Sequence, residues 1–382
     1  MNTRHLLVFG DSRRMSLLPD VSVDLIVTSP PYWQLKDYGS EQQIGYNDTY
    51  EDYINNLNLV WTECFRVLKN GCRLCINVGD QFARSVYYGR YKVIPIHAEI
   101  IRFCECLGLD YMGDIIWQKP TNTHTTGGQK VMGSYPYPRN GIVKIDFEHI
   151  LLFKKQGMAP TVKSIQREAS KLSPEEWNEY FTSHWTFSGA RQDRHIAVFP
   201  EELPKRLIRM FSFIEDTVLD PFMGSGTTAL AAADCGRNSI GYEINKDFYV
   251  FYKEKVIDHE HSGETFDIAE DRTIFDRESL LNRLPYKFVD AIKINKQGGC
   301  DDTYGSKINI ARSIQEELRA KKELIKSNQP MVLINHARQS TRLLMKERGI
   351  CYLRAGDVKG SLLIQSGFER LEYVLLHTNG ED

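Results

Sequence analysis

The run Val21-Ser22-Val23-Asp24-Leu25-Ile26-Val27, followed by Thr28-Ser29-Pro30-Pro31-Tyr32-Trp33, sets the reading of the whole chain. Its first half is short, apolar and β-branched, the pattern of a buried strand in a parallel sheet. Its second half cannot continue pairing, because two prolines fix φ and donate no N–H. The strand therefore ends in a rigid corner at the carboxyl edge of a sheet, where open α/β folds place their ligands. That corner offers the Ser29 hydroxyl, the Pro30 carbonyl, the second proline Pro31 and the aromatic face of Tyr32. These groups suit a planar ring with an exocyclic amino group. Ser29 and the Pro30 carbonyl can accept its two N–H bonds, and Tyr32 can stack on it. Taken alone, the tetrapeptide reads equally well as a strand-ending turn.

A second run weighs against the turn. Thr217-Val218-Leu219-Asp220-Pro221-Phe222-Met223-Gly224-Ser225-Gly226-Thr227-Thr228 has the form of strand, Gly-rich turn and helix start. Ala229 to Ala233 favour a helix, and Gly236 suits the residue just past its end. Glycines let backbone approach a ligand at a helix N-terminus. No Lys follows them as a phosphate loop requires, and the spacing is not that of a dinucleotide loop. The next strand, Ser239-Ile240-Gly241-Tyr242-Glu243, ends in a carboxylate able to accept both hydroxyls of a ribose. A nucleoside without phosphates fits this pattern: S-adenosylmethionine.

Together these residues resemble the amino-directed DNA methyltransferases, which methylate exocyclic nitrogens of cytosine or adenine. The matching motifs are Ser29-Pro30-Pro31-Tyr32 and Phe222-Met223-Gly224-Ser225-Gly226, with the catalytic motif first, the permuted order of the β class. Gly10-Asp11, Glu148-His149-Ile150-Leu151-Leu152-Phe153 and Phe199-Pro200-Glu201-Glu202-Leu203-Pro204 match as well, so the resemblance spans residues 4 to 258. It implies an α/β, Rossmann-like methyltransferase sheet. It also implies a cofactor set of Asp11 (near the adenine), Asp220, Phe222, Gly224, Ser225, Gly226, Thr227, Thr228 and Glu243. Ser29 at the first motif position implies cytosine N4 as the target, with adenine N6 as the alternative. A restriction-modification role follows, with a cognate restriction endonuclease as partner and the chain a monomer or homodimer. RNA or protein-amide methylation, and a catalytically dead DNA-binding protein on the same fold, are the competing readings. Both motifs are intact, which argues against the dead fold.

The remaining features bound this reading. The chain has 382 residues, 42% hydrophobic and 26% charged, enough for a sizeable core and two domains. Its formal net charge of -2 means that any DNA-binding surface must gather Lys and Arg locally. No apolar run approaches a membrane span, and the N-terminus lacks a signal peptide's apolar core. Eight scattered cysteines read as reduced thiols rather than metal ligands, so no metal and a cytoplasmic, prokaryotic or phage setting are expected.

His5 to Phe9 forms a first strand. Gln34 to Thr49 is polar, a mobile loop over the site. Ile54, Leu57, Trp61, Cys64, Phe65 and Leu68 mark a helix, ended by Asn70-Gly71. Two polar, cationic inserts, at about 118–141 and 154–194, break the α/β rhythm and are expected to face double-stranded DNA. Lys119, Lys130, Arg139, Arg191 and Arg194 are their candidate contacts, and Trp177 and Trp185 lie in the second. Arg206 and Arg209 read as the solvated face of a helix. The methyltransferase domain is expected to end at residue 258, and residues 264–382 to form a small C-terminal α/β accessory domain, modestly basic and of unassigned role.

Overall fold

The computed structural model describes residues 3–83, 88, 92–119, 137–189, 199–258 and 264–290, with two short strands beyond them. In chain order these are β1 (Arg4–Phe9), β2 (Val23–Thr28), α1 (Tyr50–Val67) and β3 (Leu68–Val78). β4 (Gln81–Ala83), β5 (Lys92–Ile94), α2 (Ile96–Cys106), β6 (Leu109–Gln118) and β7 (Phe147–Lys155) follow. Then come α3 (Ser164–Ala169), α4 (Pro174–Tyr180), β8 (His184–Thr186), α5 (Glu202–Phe211) and β9 (Thr217–Asp220). α6 (Thr227–Asp234), β10 (Asn238–Glu243), α7 (Tyr249–Tyr252), β11 (Thr265–Glu270) and α8 (Arg277–Leu281) complete the main body. The strands further on are β12 (Val332–Ile334) and β13 (Tyr352–Arg354).

Every residue of β2 is buried, which requires neighbours on both edges and cover on both faces. The sheet supplies them in the order β11-β1-β10-β9-β2-β3-β7-β6-β8. All pairings are parallel except those of β7, which runs against β3 and β6. Side-chain alternation sends Leu25 and Val27 toward α5 and α6, where Leu203, Leu207, Ala231 and Trp185 complete a cluster. α1 and α2 pack on each other and on β3, β6 and β7. α1 starts where expected, with the Thr49 hydroxyl accepting the Asp52 N–H at 3.0 Å.

This topology places four carboxyl strand ends side by side. Gly10-Asp11 follows β1, Glu243 ends β10, the Gly-rich turn follows β9 and the Ser-Pro-Pro-Tyr corner follows β2. The site must therefore lie along this one edge.

Four expectations need correction. Asn70-Gly71 does not end α1, which stops at Val67. The pair bulges out of β3, between Leu68, opposite Val23, and Arg73, opposite Leu25. Gly71 has φ +74° there, and a Cβ would lie 2.4 Å from the Ala159 backbone nitrogen, so no other residue fits without a shift.

The second insert is largely structural. Lys155 is buried and donates to the Phe65 and Leu68 carbonyls, while β8 extends the sheet beside β6 and buries Trp185. Arg167, Lys171 and the exposed Trp177 line a cleft with Asp24 and Asp216, at the amino ends of β2 and β9, so they face away from the site edge. Nor do Arg206 and Arg209 form a solvated face. Arg206 is buried, pairs with Glu202 and Glu179, and lies over the Trp185, Phe187 and Tyr180 rings; Arg209 pairs with Glu176. They staple α5 to α4.

The break expected at 258 is also misplaced, because β11 pairs with β1 in full register from Arg4–Thr265 to Phe9–Glu270. The segment behind it holds α1: Arg277 bonds Asp52 and Asn56, and the Phe288 backbone exchanges two bonds with the Asn55 amide. The chain divides instead into Met1–Ala83 with Lys92–Gly298, and Arg84–Tyr91 with Gly299–Asp382. In the second unit the described strands β12 and β13 pair in parallel, in agreement with two expected strands. The other elements expected there lie outside the described residues.

A chain ended at 258 loses β11 and leaves the edge of β1 unpaired. It is expected to be insoluble or to melt well below a chain ended at 298. Thermal unfolding of the two fragments tests this; equal melting temperatures would show that β11 contributes nothing to the main body.

Candidate active site

The two motifs meet through one buried carboxylate. Asp220, the last residue of β9, accepts from the Thr28 hydroxyl at 2.7 Å, the Thr228 hydroxyl at 2.6 Å and the Phe222 N–H at 3.0 Å. Burial raises its pKa, and these three donors oppose the shift. Asp220 thereby ties the end of β2 to the start of α6 and shapes the turn between. Residues 29–32, Gly10, Asp11, Phe199, Phe222, Gly224, Ser225, Thr227 and Glu243 line a single pocket above this clamp. Asp220, Gly226 and Thr228, expected at the cofactor, stand behind that lining. Gly226 has φ +86°, and a Cβ there would meet Tyr252 at 2.6 Å, so its role is to turn the chain into α6.

Glu243 faces the pocket with both oxygens engaged. Oε2 accepts from the Gly224 N–H at 3.0 Å and Oε1 from the Asn245 N–H at 2.9 Å. Burial raises its pKa to about 7, against those two amides. Asp11 lines the pocket as well, but its carboxylate is gripped by the Arg13 guanidinium, with Nη2 to Oδ2 at 2.6 Å.

At the other end, the Tyr32 hydroxyl donates to Glu148 Oε1 at 2.5 Å. Lys119 pairs with the same oxygen, and the Asn77 amide donates to Oε2 at 2.7 Å. Burial first, then the Glu148 charge, holds the Tyr32 phenol protonated. Lys119 thus shares Glu148 with Tyr32 of the Ser-Pro-Pro-Tyr corner and lies over the Trp117 ring, rather than standing free for a phosphate. Arg139 is exposed on a single turn at Pro138–Asn140. Lys130, Arg191 and Arg194 lie outside the described residues. Sequence reasoning matched Glu148 to the family but assigned it no role; a carboxylate at a buried strand position beside a catalytic corner was the available signal.

The loop after the corner covers the pocket with Tyr38, Gln42, Gln43 and Ile44. It is not loosely held. The Trp33 indole and the Gln34 amide both donate to the Asp48 carbonyl, the Gln34 N–H donates to the Gly45 carbonyl, and Gln34 accepts φ +53° to do so.

Near Glu148, His97 Nδ1 bonds Asp80 and His149 Nδ1 bonds Asp114, each at 2.7 Å. Asp80, His97 and His149 could offer ligand atoms within 4.8 Å of one another. The two rings, however, stack at 4.1 Å and 14°, which aims their in-plane lone pairs side by side rather than at one ion. The described cysteines are free thiols, with Cys64, Cys75 and Cys104 buried.

The structure thus sets a pocket at the carboxyl edge of a mostly parallel sheet, with the Ser-Pro-Pro-Tyr corner and the Gly-rich turn in its lining. Comparison with known proteins identifies the family. Residues 23–254 match the model of the N6/N4 DNA methylase family, and the chain belongs to it. It is 37% identical over 287 residues to the type II methyltransferase M.MjaI of Methanocaldococcus jannaschii, covering 67% of this chain and 92% of that one. Its identity to M.MthZI of Methanothermobacter thermautotrophicus is 36%, covering 65% and 75%. The putative DNA modification methylase TTHA0409 of Thermus thermophilus, solved with S-adenosyl-L-methionine, superposes with a TM-score of 0.56 at 36% identity, covering 72% of this chain and all of that one. The chain is an S-adenosylmethionine-dependent DNA methyltransferase of restriction-modification type. No helix among the described residues is long and apolar enough to cross a membrane.

Asp220→Ala leaves three donors without an acceptor, at about 1–3 kcal/mol for each that stays dry. Asp220→Asn keeps one acceptor oxygen and is expected to lose much less. Urea denaturation separates the two; equal losses would mean that the clamp does not hold the motifs together.

Proposed function

We propose that this enzyme transfers a methyl group to the exocyclic N4 amino group of a cytosine flipped out of double-stranded DNA, protecting the DNA from a cognate restriction endonuclease. The observation that carries the choice of base is Ser29, a hydroxyl where adenine-directed members of the family mainly carry a carboxylate. Ser29 and Pro30 line the pocket together, and of the acids that line it Asp11 is paired with Arg13 while Glu243 accepts from the Gly224 and Asn245 N–H groups.

The pocket residues fit S-adenosylmethionine. Glu243, half-buried at the end of β10, suits the two ribose hydroxyls, and the Gly224-Ser225 turn lines the pocket beside it. The cofactor supplies an electrophilic methyl on a sulfonium. The protein's task is the nitrogen, whose lone pair is delocalised into the base ring. Acceptors at Ser29 and the Pro30 carbonyl, set off the ring plane, favour a pyramidal nitrogen and free that pair. The N–C bond then forms as the S–C bond breaks, and the nitrogen sheds a proton toward solvent. Positioning and electrostatic complementarity supply the rate. Extruding the base costs a few kcal/mol, and stacking on Tyr32 returns about 1–3 kcal/mol of that.

Ser29→Ala is expected to slow turnover far more than it weakens cofactor binding, because its contact matters most in the transition state. Methylated DNA, digested to nucleosides and weighed, identifies the base. N6-methyladenine alone would overturn the cytosine assignment; 5-methylcytosine would overturn the mechanism as well.

Glu243 gives a pH signature. Its folded value of about 7 lies above the ordinary 4.5. In the cofactor-free protein the protonated form therefore predominates only below about pH 7. Its stabilisation is complete below 4.5 and is lost as pH rises through 7. Ribose recognition needs the ionised acceptor, so S-adenosylmethionine affinity is expected to rise from about pH 6 to about pH 8, and to be weaker and pH-flat in Glu243→Gln. Calorimetric titrations across that range test the pair; an unchanged slope in the variant would assign the titration to another group.

A further inference from the structure

The loop of residues 34–49 runs from the Ser-Pro-Pro-Tyr corner to the start of α1, and its middle covers the pocket. Two of its carbonyls are held from outside the loop. The Asn245 amide donates to the Tyr38 carbonyl at 2.7 Å, and Arg13 Nη2 donates to the Gln42 carbonyl at 3.2 Å. Between the two bonds stand Gly39, Ser40 and Glu41, and the Glu41 side is open to solvent. Gly39 has φ +81°, and a Cβ there would lie 3.1 Å from Asn245 Nδ2, so the loop turns in close contact with its tether.

The two tethers share one arrangement. Each comes from a residue that also holds one of the pocket's acids. Asn245 gives its backbone N–H to Glu243 Oε1 at 2.9 Å, and Arg13 Nη2 meets Asp11 Oδ2 at 2.6 Å. Both residues are themselves fixed. Asn245 Oδ1 accepts from the Asp247 N–H at 2.9 Å, capping a short turn after β10. Arg13 Nη1 donates to the Asn56 side chain of α1 at 3.2 Å, and its guanidinium lies over the Phe275 ring. A donor already ordered restrains a loop more than another loop residue does, because only one partner loses freedom when the bond forms.

We infer that Asn245 and Arg13 are positioning residues that pin the cover onto the pocket, so that the cofactor enters and leaves only when these bonds open. The residues that hold the two acids from below thus hold the cover from above, one at the end of β1 and one at the end of β10. Cofactor exchange is gated from the cofactor's own wall. The inference rests on S-adenosylmethionine lying in this pocket and is independent of the target base.

The test uses full-length protein without DNA. Asn245→Ser keeps a capping hydroxyl for the Asp247 N–H but is too short to reach the Tyr38 carbonyl. A glutamate-specific protease reports on the cover through cleavage after Glu41, followed by mass spectrometry. Release of labelled S-adenosylmethionine is timed after a chase with unlabelled cofactor. The variant is expected to be cut at Glu41 about two- to tenfold faster than the wild type and to release the cofactor faster by a similar factor, the range of one ordinary hydrogen bond. Its thermal transition is expected to be unchanged. Arg13→Lys keeps a cation beside Asp11 but gives up the planar fork that also reaches Gln42; it is expected to act in the same direction and serves if the first variant does not fold. Cleavage at the wild-type rate overturns the pinning. Faster cleavage with unchanged cofactor release overturns the gate. A wild type that binds no S-adenosylmethionine overturns the cofactor assignment and the gate with it, while the cleavage rates still decide the pinning.

Discussion

One carboxylate holds this active site together. Thr28 and Asp220 are 192 residues apart, yet their side chains meet at 2.7 Å beneath the pocket. Adjacency of β2 and β9 brings them near, but backbone pairing there is only two residues long, Leu25–Val218 and Ile26–Leu219. Past that point the strands diverge, one into the proline corner and the other into the glycine turn. Asp220 spans the divergence and collects a donor from each branch and one from α6. Such a buried group is stabilising only when fully satisfied. The two motifs that border the pocket are thereby tied to a single point of the core.

Much of this was legible in the sequence because both motifs carry strong local signals. Prolines after a β-branched run, and glycines between a strand and an alanine-rich helix, constrain the backbone wherever they occur. The β-strand nature of Glu148–Phe153 and the start of α1 at Thr49 were legible for similar reasons. What could not be read depended on partners distant in the chain. Thr265–Glu270 alternates weakly and is largely exposed, so only its pairing with β1 makes it a strand. Arg206 and Arg209 have the spacing of a solvent face, and only α4 turns that face inward. A count of Lys and Arg made the second insert a candidate for DNA, whereas Trp185 and Lys155 in fact serve the core. Composition reports what a segment contains and is silent on the edge of the sheet to which the topology carries it.

The two edges of the sheet are accordingly unlike. The carboxyl edge carries the pocket, its tethered cover and the Lys119 pair. The amino edge carries the bulge at Gly71, packed on Ala159, and the helix α4, stapled to α5 by Arg206 and Arg209. Architecture of this kind separates rigidity from chemistry: extra packing accumulates on the side where no substrate must enter.

Glu148 has an implication of another sort. A tyrosine in an open pocket would ordinarily sample several rotamers and fall into the space that a base must occupy. Here the phenol is anchored to a carboxylate that is itself fixed by Asn77 and Lys119. The ring's conformational entropy is therefore surrendered when the chain folds, not when DNA arrives. An extruded base would meet a wall already standing, so the free energy of stacking could go toward holding the base outside the helix rather than toward ordering the protein.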